Sequence, residues 1–390
     1  MGFSKKLDAL KEKGRFRIFT EVTPLAGSRV LVNNQRFFNL SSNDYLGIAT
    51  NRELHERFYS ELDSKEKDQF LTNYGLGASS SRLLSGSVEA AHKLESDLKL
   101  AYGSEAALLF NSGYHLNIGV LPALMQKGDL ILSDKLNHAS IHDGFRLSRA
   151  KTIRFNHKDY HQLRSILTRK RDNYNQVIIV TESVFSMDGD VADLVLLTEL
   201  KTEFDCLLYV DEAHSVGIYG ENGLGKCEEY GLLKAIDILV GTFGKAYGSV
   251  GAFVICTEEI KDYLINLSRS LIFTTALPPI NYRWSGFIFN HVKTLGDDRL
   301  HLDKLGEKLR EALTAQNIKT AGSSNIVPVI VGEDNKAVLA SNQLREFGYL
   351  VMPVRPPAVP EGTSRLRISL TSIIQEQELE DFVVKLLQVI

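Results

Sequence analysis

Between Ala106 and Ile255 the chain alternates short apolar runs with segments of helical period. The runs are Ala106–Phe110, Leu130–Leu132, Thr152–Phe155, Val177–Val180, Cys206–Val210, Ile236–Val240 and Ala252–Ile255. Helices are expected at 87–101, 114–126, 139–148, 159–170 and 192–203. A strand that is apolar all along its length is buried on both faces, and parallel neighbours need a crossover of a dozen or more residues, usually a helix. The pattern predicts an α/β fold whose mostly parallel, seven-stranded sheet is covered on both sides. In such sheets ligands sit beyond the carboxyl ends of the strands, so the chemistry should be found there.

The flanks read differently. Residues 3–13 form an amphipathic charged helix, and Arg29–Asn39 a hairpin that turns at Asn33-Asn34. A helix is expected from Arg52 to about Leu62. After Pro278-Pro279 a helical stretch at 280–295 leads into helix 301–315, strand Ile326–Val331 and helix 335–347. Strands Leu350–Val354 and Leu366–Leu370 and a final helix from Glu376 complete a small C-terminal α+β domain. The expected division is an N-terminal segment (1–45), a large domain (46–285) and a small C-terminal domain (286–390), in line with a 390-residue chain. A net charge of −3 gives no basic footprint, so nucleic acid is not an expected partner. The three cysteines form no C-x-x-C pair, which argues for a reducing compartment and against zinc. No apolar run reaches membrane-spanning length and the N-terminus lacks a signal-peptide pattern, so the expectation is a cytoplasmic protein with no membrane partner.

Four features sit where the strands end. Asn111-Ser112-Gly113-Tyr114 follows Phe110 and opens a helix. Free N–H groups there suit a phosphate, or simply an ordinary cap, and Tyr114 suits either a ligand or the core. Asn137-His138-Ala139-Ser140 places a histidine where it can stack on a flat ring or cap the next helix. Asp211-Glu212-Ala213-His214 follows Val210. An ionised acid there can pair with a protonated ring nitrogen, and His214 is spaced to reach another edge of the same ligand. The same letters spell a helicase box, which needs an upstream phosphate loop. The nearest match, Gly220 to Lys226, lies downstream and is followed by Cys227 in place of the Mg²⁺-binding Ser or Thr. The fourth feature is Gly241–Gly248, where Lys245 sits at the lip of a buried strand among glycines, near the Thr242 hydroxyl. Such a lysine either snorkels to solvent or holds a ligand. An acid at one strand end and a lysine at a later one suit opposite sides of a pyridine ring. With a phosphate cradle upstream, the set points to pyridoxal 5′-phosphate (PLP) held by Lys245 as a Schiff base. The Gly/Ser-rich stretch Tyr74–Gly86 lacks the third glycine of a dinucleotide fingerprint; it either brings backbone close to a ligand or neighbouring subunit, or is a connector.

These residues resemble the α-oxoamine synthases, a family of fold-type I PLP-dependent transferases. The likeness runs from SSNDYLG (41–47) through NSGY (111–114), NHAS (137–140), TESVFSMDGD (181–190) and DEAHSVGIYGENGLG (211–225). It continues through TFGKAYG (242–248), FTTALPP (273–279) and RPPAVPEGTSRLRISL (355–370). The resemblance implies that Lys245 carries the cofactor, Asp211 binds its ring nitrogen and His138 stacks on the ring. It sets His214 and Ser186 near the ring hydroxyl, with Glu182 in a matching acidic position. Backbone at Gly113 and Tyr114, with Thr242, would hold the phosphate, and Thr275 would reach the phosphate of a partner subunit, which implies a homodimer with a shared active site. Arg367 would grip the amino-acid carboxylate, Asn43 would border the substrate, and Arg17 or Arg15 would meet the acyl substrate's distal carboxylate. The implied reaction is a decarboxylative condensation of an amino acid with an acyl thioester, carried on coenzyme A or an acyl carrier protein. Within the family the stretch 355–367 points to the branch that uses L-alanine and a pimeloyl thioester; the glycine–acetyl branch and the serine-using or long-chain branches are the alternatives. Two departures stand out. Thr371-Ser372-Ile373-Ile374 ends in isoleucine where relatives commonly carry histidine, which bears on the acyl pocket, and His115-Leu116 replaces smaller residues after the phosphate turn.

Overall fold

The computed structural model describes residues 2–13, 15–60 and 70–390. The helix expected from Arg52 is present over Arg52–Ser60, and the remainder of that expectation, to Leu62, lies outside the described residues. In chain order the strands are β1 (Thr23–Leu25), β2 (Arg29–Val32), β3 (Gln35–Asn39), β4 (Ala106–Phe110), β5 (Leu130–Asp134), β6 (Lys151–Phe155) and β7 (Val177–Glu182). They continue with β8 (Leu207–Asp211), β9 (Ile238–Thr242), β10 (Ala252–Cys256), β11 (Ile326–Gly332), β12 (Tyr349–Leu350), β13 (Pro353–Val354) and β14 (Ser364–Ser369). The described chain forms two compact units. One comprises Glu53–Phe185 and Val191–Gly296; the other comprises Met1–Arg52, Ser186–Asp190 and Asp297–Ile390.

The first unit is built on one sheet in the order β4-β10-β9-β8-β7-β5-β6. All its pairs are parallel except those of β10, which runs antiparallel to both β4 and β9. Only residues 243–251 separate β9 from β10, too few for a helical crossover, so the chain must turn straight back. Strands β4, β5 and β7–β10 are buried along nearly their whole length. Leu108, Ile131, Ile178, Val180, Val240 and Val254 pack with Leu116, Val120 and Ile141 of the covering helices in one core. Several helices start on a side-chain cap: Ser112 accepts the His115 N–H, Asp159 the Gln162 N–H and Asp193 the Leu196 N–H. The alignment of strands sets Glu182 of β7 directly opposite Asp211 of β8.

The second unit holds two small sheets. The hairpin β2–β3 is extended by antiparallel β1 and, on the other side, by β12 running parallel to β3. A second, antiparallel sheet has the order β11-β14-β13. The run expected as one strand, Leu350–Val354, therefore splits between two sheets. Pro353, which has no N–H to donate, begins the edge strand β13. The N-terminal residues through Arg52 fold with the C-terminal residues in this unit. Residues 186–190 are tied into it: Gly189 O accepts from Ser323 N and Ser324 N, and Asp188 pairs with the buried Arg365 guanidinium. Gly189 has φ +66°, and a Cβ on it would lie 2.1 Å from Ile326 O, so the loop closes only on glycine. Among the described residues no helix is long and apolar enough to cross a membrane.

Candidate active site

In the first unit the strand ends bring their polar residues together. Gly113 opens the helix Gly113–Leu124, and a Cβ built on it would come 3.9 Å from Thr242 Cβ. A helix N-terminus thus faces the end of β9, an arrangement suited to an anion. Thr242 Oγ1 donates to Gly251 O (2.9 Å) and accepts from Gly244 N (3.2 Å), so its hydrogen must be redirected before it can serve a phosphate. Tyr114 is not in the core: it is half exposed, and its hydroxyl donates to Asp143 Oδ2 (2.8 Å). Asn111 Nδ2 donates to Thr275 O (2.7 Å), which leaves Thr275 at the surface beside this helix start. The substitution at 115–116 is accommodated locally: the His115 ring bonds Ser112 Oγ (2.9 Å) and Leu116 is fully buried.

Lys245 lies in the tight connection between β9 and β10, where its carbonyl accepts from Gly248 N and Phe243 O accepts from Ser249 N. Gly248 takes φ +54° to make that turn. The Lys245 charge is felt by both His138 and Glu182, lowering the pKa of each, which groups these three residues with Asp211. Glu182 and Asp211 are both buried. Burial first, and then the Asp211 charge, push the Glu182 carboxyl up to about 8, so Glu182 holds its proton at neutral pH in the protein without ligand. Its Oε1 is buried and has no hydrogen-bond partner. Burial holds the His138 imidazole below its ordinary pKa; the Asp211 charge opposes that and Lys245 adds to it. His214 is buried in the turn after Asp211.

His138 does cap the helix Ala139–Leu147: its Nδ1 accepts from Ser140 N (3.2 Å). Behind it runs a hydrogen-bonded set that local sequence reasoning missed. Asn117 Nδ2 donates to Asp211 Oδ2 (3.0 Å) and to Ser140 Oγ (2.9 Å), while Tyr209 OH donates to Asn117 Oδ1 (2.5 Å). Asp211 Oδ1 accepts from Ala213 N (3.0 Å). A carboxyl that accepts two N–H bonds keeps spare acceptor capacity. Asn117 is the one amide in an otherwise largely apolar helical face, and a buried amide demands partners. That was the available signal.

Taken together these groups fit PLP. An anion site at Gly113 and Thr242 suits the phosphate, and the buried Asp211 carboxyl, with acceptor capacity to spare, suits a pyridinium N–H. The Lys245 amine suits the aldehyde carbon, and the orphaned Glu182 Oε1 marks a polar wall with no internal partner.

The second unit gathers a different set. Arg367 of β14 donates from Nε to Ser186 O (2.6 Å) and from Nη1 to Ser369 Oγ (2.7 Å). Both Nη1 and Nη2 donate to Asn43 Oδ1 (3.3 Å each), and Nη2 also reaches Tyr45 OH (3.4 Å). Asn43 Oδ1 therefore occupies the fork where a carboxylate oxygen binds an arginine. Of the two N-terminal arginines, Arg15 spends its charge on Asp334 (3.2 Å) and Glu361 (2.6 Å). Arg17, like Arg15, lines a cavity of about 560 Å³ with Arg345, Arg355, Val338, Met352 and Val354. Arg345 Nε is buried there without a hydrogen bond. Ile374, the last residue of the Thr371–Ile374 departure, is fully buried, and its carbonyl accepts from His301 Nε2 (2.8 Å). It is a core residue of this unit and does not line that cavity.

The chain matches the family described as aminotransferase class I and II over residues 35–386 and belongs to it. Fold and relatives together define a PLP-dependent fold-type I enzyme of the α-oxoamine synthase class, an acyltransferase-type catalyst. The chain is 46% identical over 377 residues to 8-amino-7-oxononanoate synthase of Chlorobaculum parvum, covering 97% of this chain and 95% of that protein. It is 45% identical over 386 residues to the Haemophilus ducreyi enzyme of the same name, covering 98% of each. Among solved structures, serine palmitoyltransferase of S. paucimobilis with a bound PLP–myriocin aldimine superposes with a TM-score of 0.90 at 27% identity, over 100% of this chain and 96% of that one. The 8-amino-7-oxononanoate synthase of Francisella tularensis gives 0.76 at 28% identity, over 90% and 97%.

Proposed function

We propose that this enzyme condenses L-alanine with a pimeloyl thioester, releasing CO₂ and the free thiol and giving 8-amino-7-oxononanoate, a step of biotin biosynthesis. The observation that carries the reading is the end-to-end likeness to 8-amino-7-oxononanoate synthases, 46% over 97% of the chain. Bound PLP supplies an electrophilic carbon for the amino group and a ring that draws off the electron pair left at the α-carbon. Asp211 would pair with the ring nitrogen, His138 would stack on the ring, and His214 and Glu182 would lie at its hydroxyl edge. Backbone at Gly113 and Tyr114 and the Thr242 hydroxyl hold the phosphate.

Arg367 binds the alanine carboxylate by giving up its long bonds to Asn43 Oδ1, while Ser186 O and Ser369 Oγ keep the guanidinium plane fixed. That grip orients the Cα–H bond for removal. Lys245 Nζ takes the α-proton. The α-carbon then bonds to the thioester carbonyl carbon, and the C–S bond breaks with its electron pair on sulfur, the departing thiolate taking a proton from solvent. The carboxylate departs as CO₂, and Lys245 Nζ returns a proton to the α-carbon. Arg17 and the cavity it lines receive the acyl donor's distal carboxylate, the donor riding on coenzyme A or an acyl carrier protein. The active unit is a homodimer in which Thr275 reaches the partner's phosphate site. The exposure of Leu76, Leu83, Leu84 and Phe273 supports a second copy on this surface, since the Ala276 N–H to Ser80 O bond ties their two segments together.

The likeness to serine palmitoyltransferases favours one competitor, a serine- and long-chain-using synthase. A matrix of glycine, alanine and serine against acetyl, pimeloyl and palmitoyl thioesters, with CO₂ release as readout, separates them. The highest kcat/KM is expected for alanine with pimeloyl; a preference for serine with palmitoyl overturns the reading. Lys245→Ala is expected to abolish turnover and the visible absorbance of lysine-bound cofactor, and retention of both removes Lys245 from its role.

A further inference from the structure

We propose that Asn117 is a positioning residue that sets two cofactor-facing groups at once, orienting the Asp211 carboxyl as an acceptor and fixing His138 as a neutral imidazole with its proton on Nε2. The inference rests on the reading above, in which Asp211 and His138 face the cofactor.

The wiring runs in one direction. Tyr209 is fully buried, and burial followed by the Asp211 charge keeps its phenol protonated. It therefore donates to Asn117 Oδ1, which can only accept. The amide NH₂ must then point the other way, and its two hydrogens go to Asp211 Oδ2 and Ser140 Oγ. A flipped amide would press an oxygen against the Asp211 carboxylate, so this orientation is forced. Ser140 Oγ has accepted from Asn117 and gives its own hydrogen to His138 Nδ1 (2.7 Å), which also receives Ser140 N–H. A ring nitrogen that accepts carries its lone pair, so the proton of the neutral ring sits on Nε2. Asn117, Ser140 and Tyr209 are each no more than 2% exposed, so water cannot substitute for a missing member.

Two consequences follow for the site. Asp211 keeps both carboxylate oxygens supplied with N–H donors before any ligand arrives, so a ring nitrogen meets an oriented charge. A second proton at Nδ1 would meet the Ser140 N–H, and the Ser140 hydroxyl, turned toward the ring while it accepts from Asn117, would have to rotate to receive it. Without Asn117, Ser140 can rotate to accept, His138 can become a cation paired with Asp211, and that cation would compete with a pyridinium for the same carboxylate.

The test uses two readouts. One is the pair of His138 ring ¹⁵N shifts in the apoenzyme at neutral pH, and the other is the Kd of PLP in a titration of apoenzyme. The wild type is expected to show a bare Nδ1 and a protonated Nε2. Asn117→Leu, close in shape but apolar, is expected to lose that single-tautomer signature and to weaken PLP binding at least tenfold. Tyr209→Phe, which only unlocks the amide, is expected to move both readouts the same way by less, and it serves if Asn117→Leu fails to fold. Unchanged shifts and a Kd within twofold in either folded variant overturn the proposal, because a merely structural amide would leave the tautomer alone. An Nδ1–H tautomer in the wild type also overturns it, and leaves the proposed reaction standing. If Asp211→Asn leaves PLP affinity intact, the reading of Asp211 fails, while the tautomer measurement remains valid on its own.

Discussion

Substituting Arg367 by lysine isolates the geometry of the carboxylate grip from its charge. In the protein the guanidinium is held by Ser186 O at 2.6 Å and Ser369 Oγ at 2.7 Å, with two 3.3 Å bonds to Asn43 Oδ1 standing where a substrate carboxylate would bind. A lysine ammonium keeps the positive charge but is a point donor on a flexible stem, so it can offer the carboxylate one bond where arginine offers a planar pair. Losing one charge-assisted hydrogen bond costs about 1.5–3 kcal/mol, which is roughly a 10- to 150-fold loss of affinity. The contact is made to the carboxylate in the bound amino acid as well as later in the reaction, so most of the loss should appear in KM. The assay is steady-state CO₂ release with L-alanine varied at saturating thioester, and cofactor absorbance measured on the same preparation. The expected result is a KM raised at least tenfold with cofactor content retained. A KM within twofold of the wild type would mean that Arg367 does not bind the substrate carboxylate, whatever its place among Asn43, Tyr45 and Ser186.

Asp211→Asn replaces a group with two acceptor oxygens by an amide whose own NH₂ must face either the Asn117 or the Ala213 N–H. PLP affinity should fall roughly 10- to 150-fold, the value of one charge-assisted bond, and a titration showing twofold or less sinks the pairing with the ring nitrogen. Glu182 gives a pH prediction in the apoenzyme. Its carboxyl is raised from 4.5 to about 8 in the fold, by burial and then by Asp211, so between those values the native state binds the proton that the unfolded chain has lost. The Glu182 contribution to stability must therefore fall as pH rises through that window and level off above it. Glu182→Gln, which mimics the neutral acid, should remove this falling contribution, so that Tm declines less steeply with pH across the window than in wild type; equal slopes would show that Glu182 is ionised throughout.

The parts of this protein that were legible in its sequence are those whose signal is local. Six of the seven runs mark strands buried along nearly their whole length, which cannot hide their composition, and β6 at the sheet edge is the exception. The polar residues at their ends mark the site for the same reason: a lysine, an acid and a helix start beside buried strands stand out from their neighbours. What was not legible depends on partners distant in the chain. Nothing near Leu350–Val354 says that its halves pair with β3 and with β14, and nothing near Arg367 names Ser186, 181 residues away, as an acceptor. Arg15 and Arg17 look interchangeable until Asp334 and Glu361 claim one of them. The reversal at β10 and the amide at Asn117 belong to neither group. A nine-residue link cannot carry a crossover, and a lone amide in the helix GYHLNIGVLPAL cannot be buried without partners. Both were physical constraints written in the chain, and both concern what a position forbids. An argument that asks only what each residue favours will pass over them, and in this protein the second of them joins Asp211 to His138.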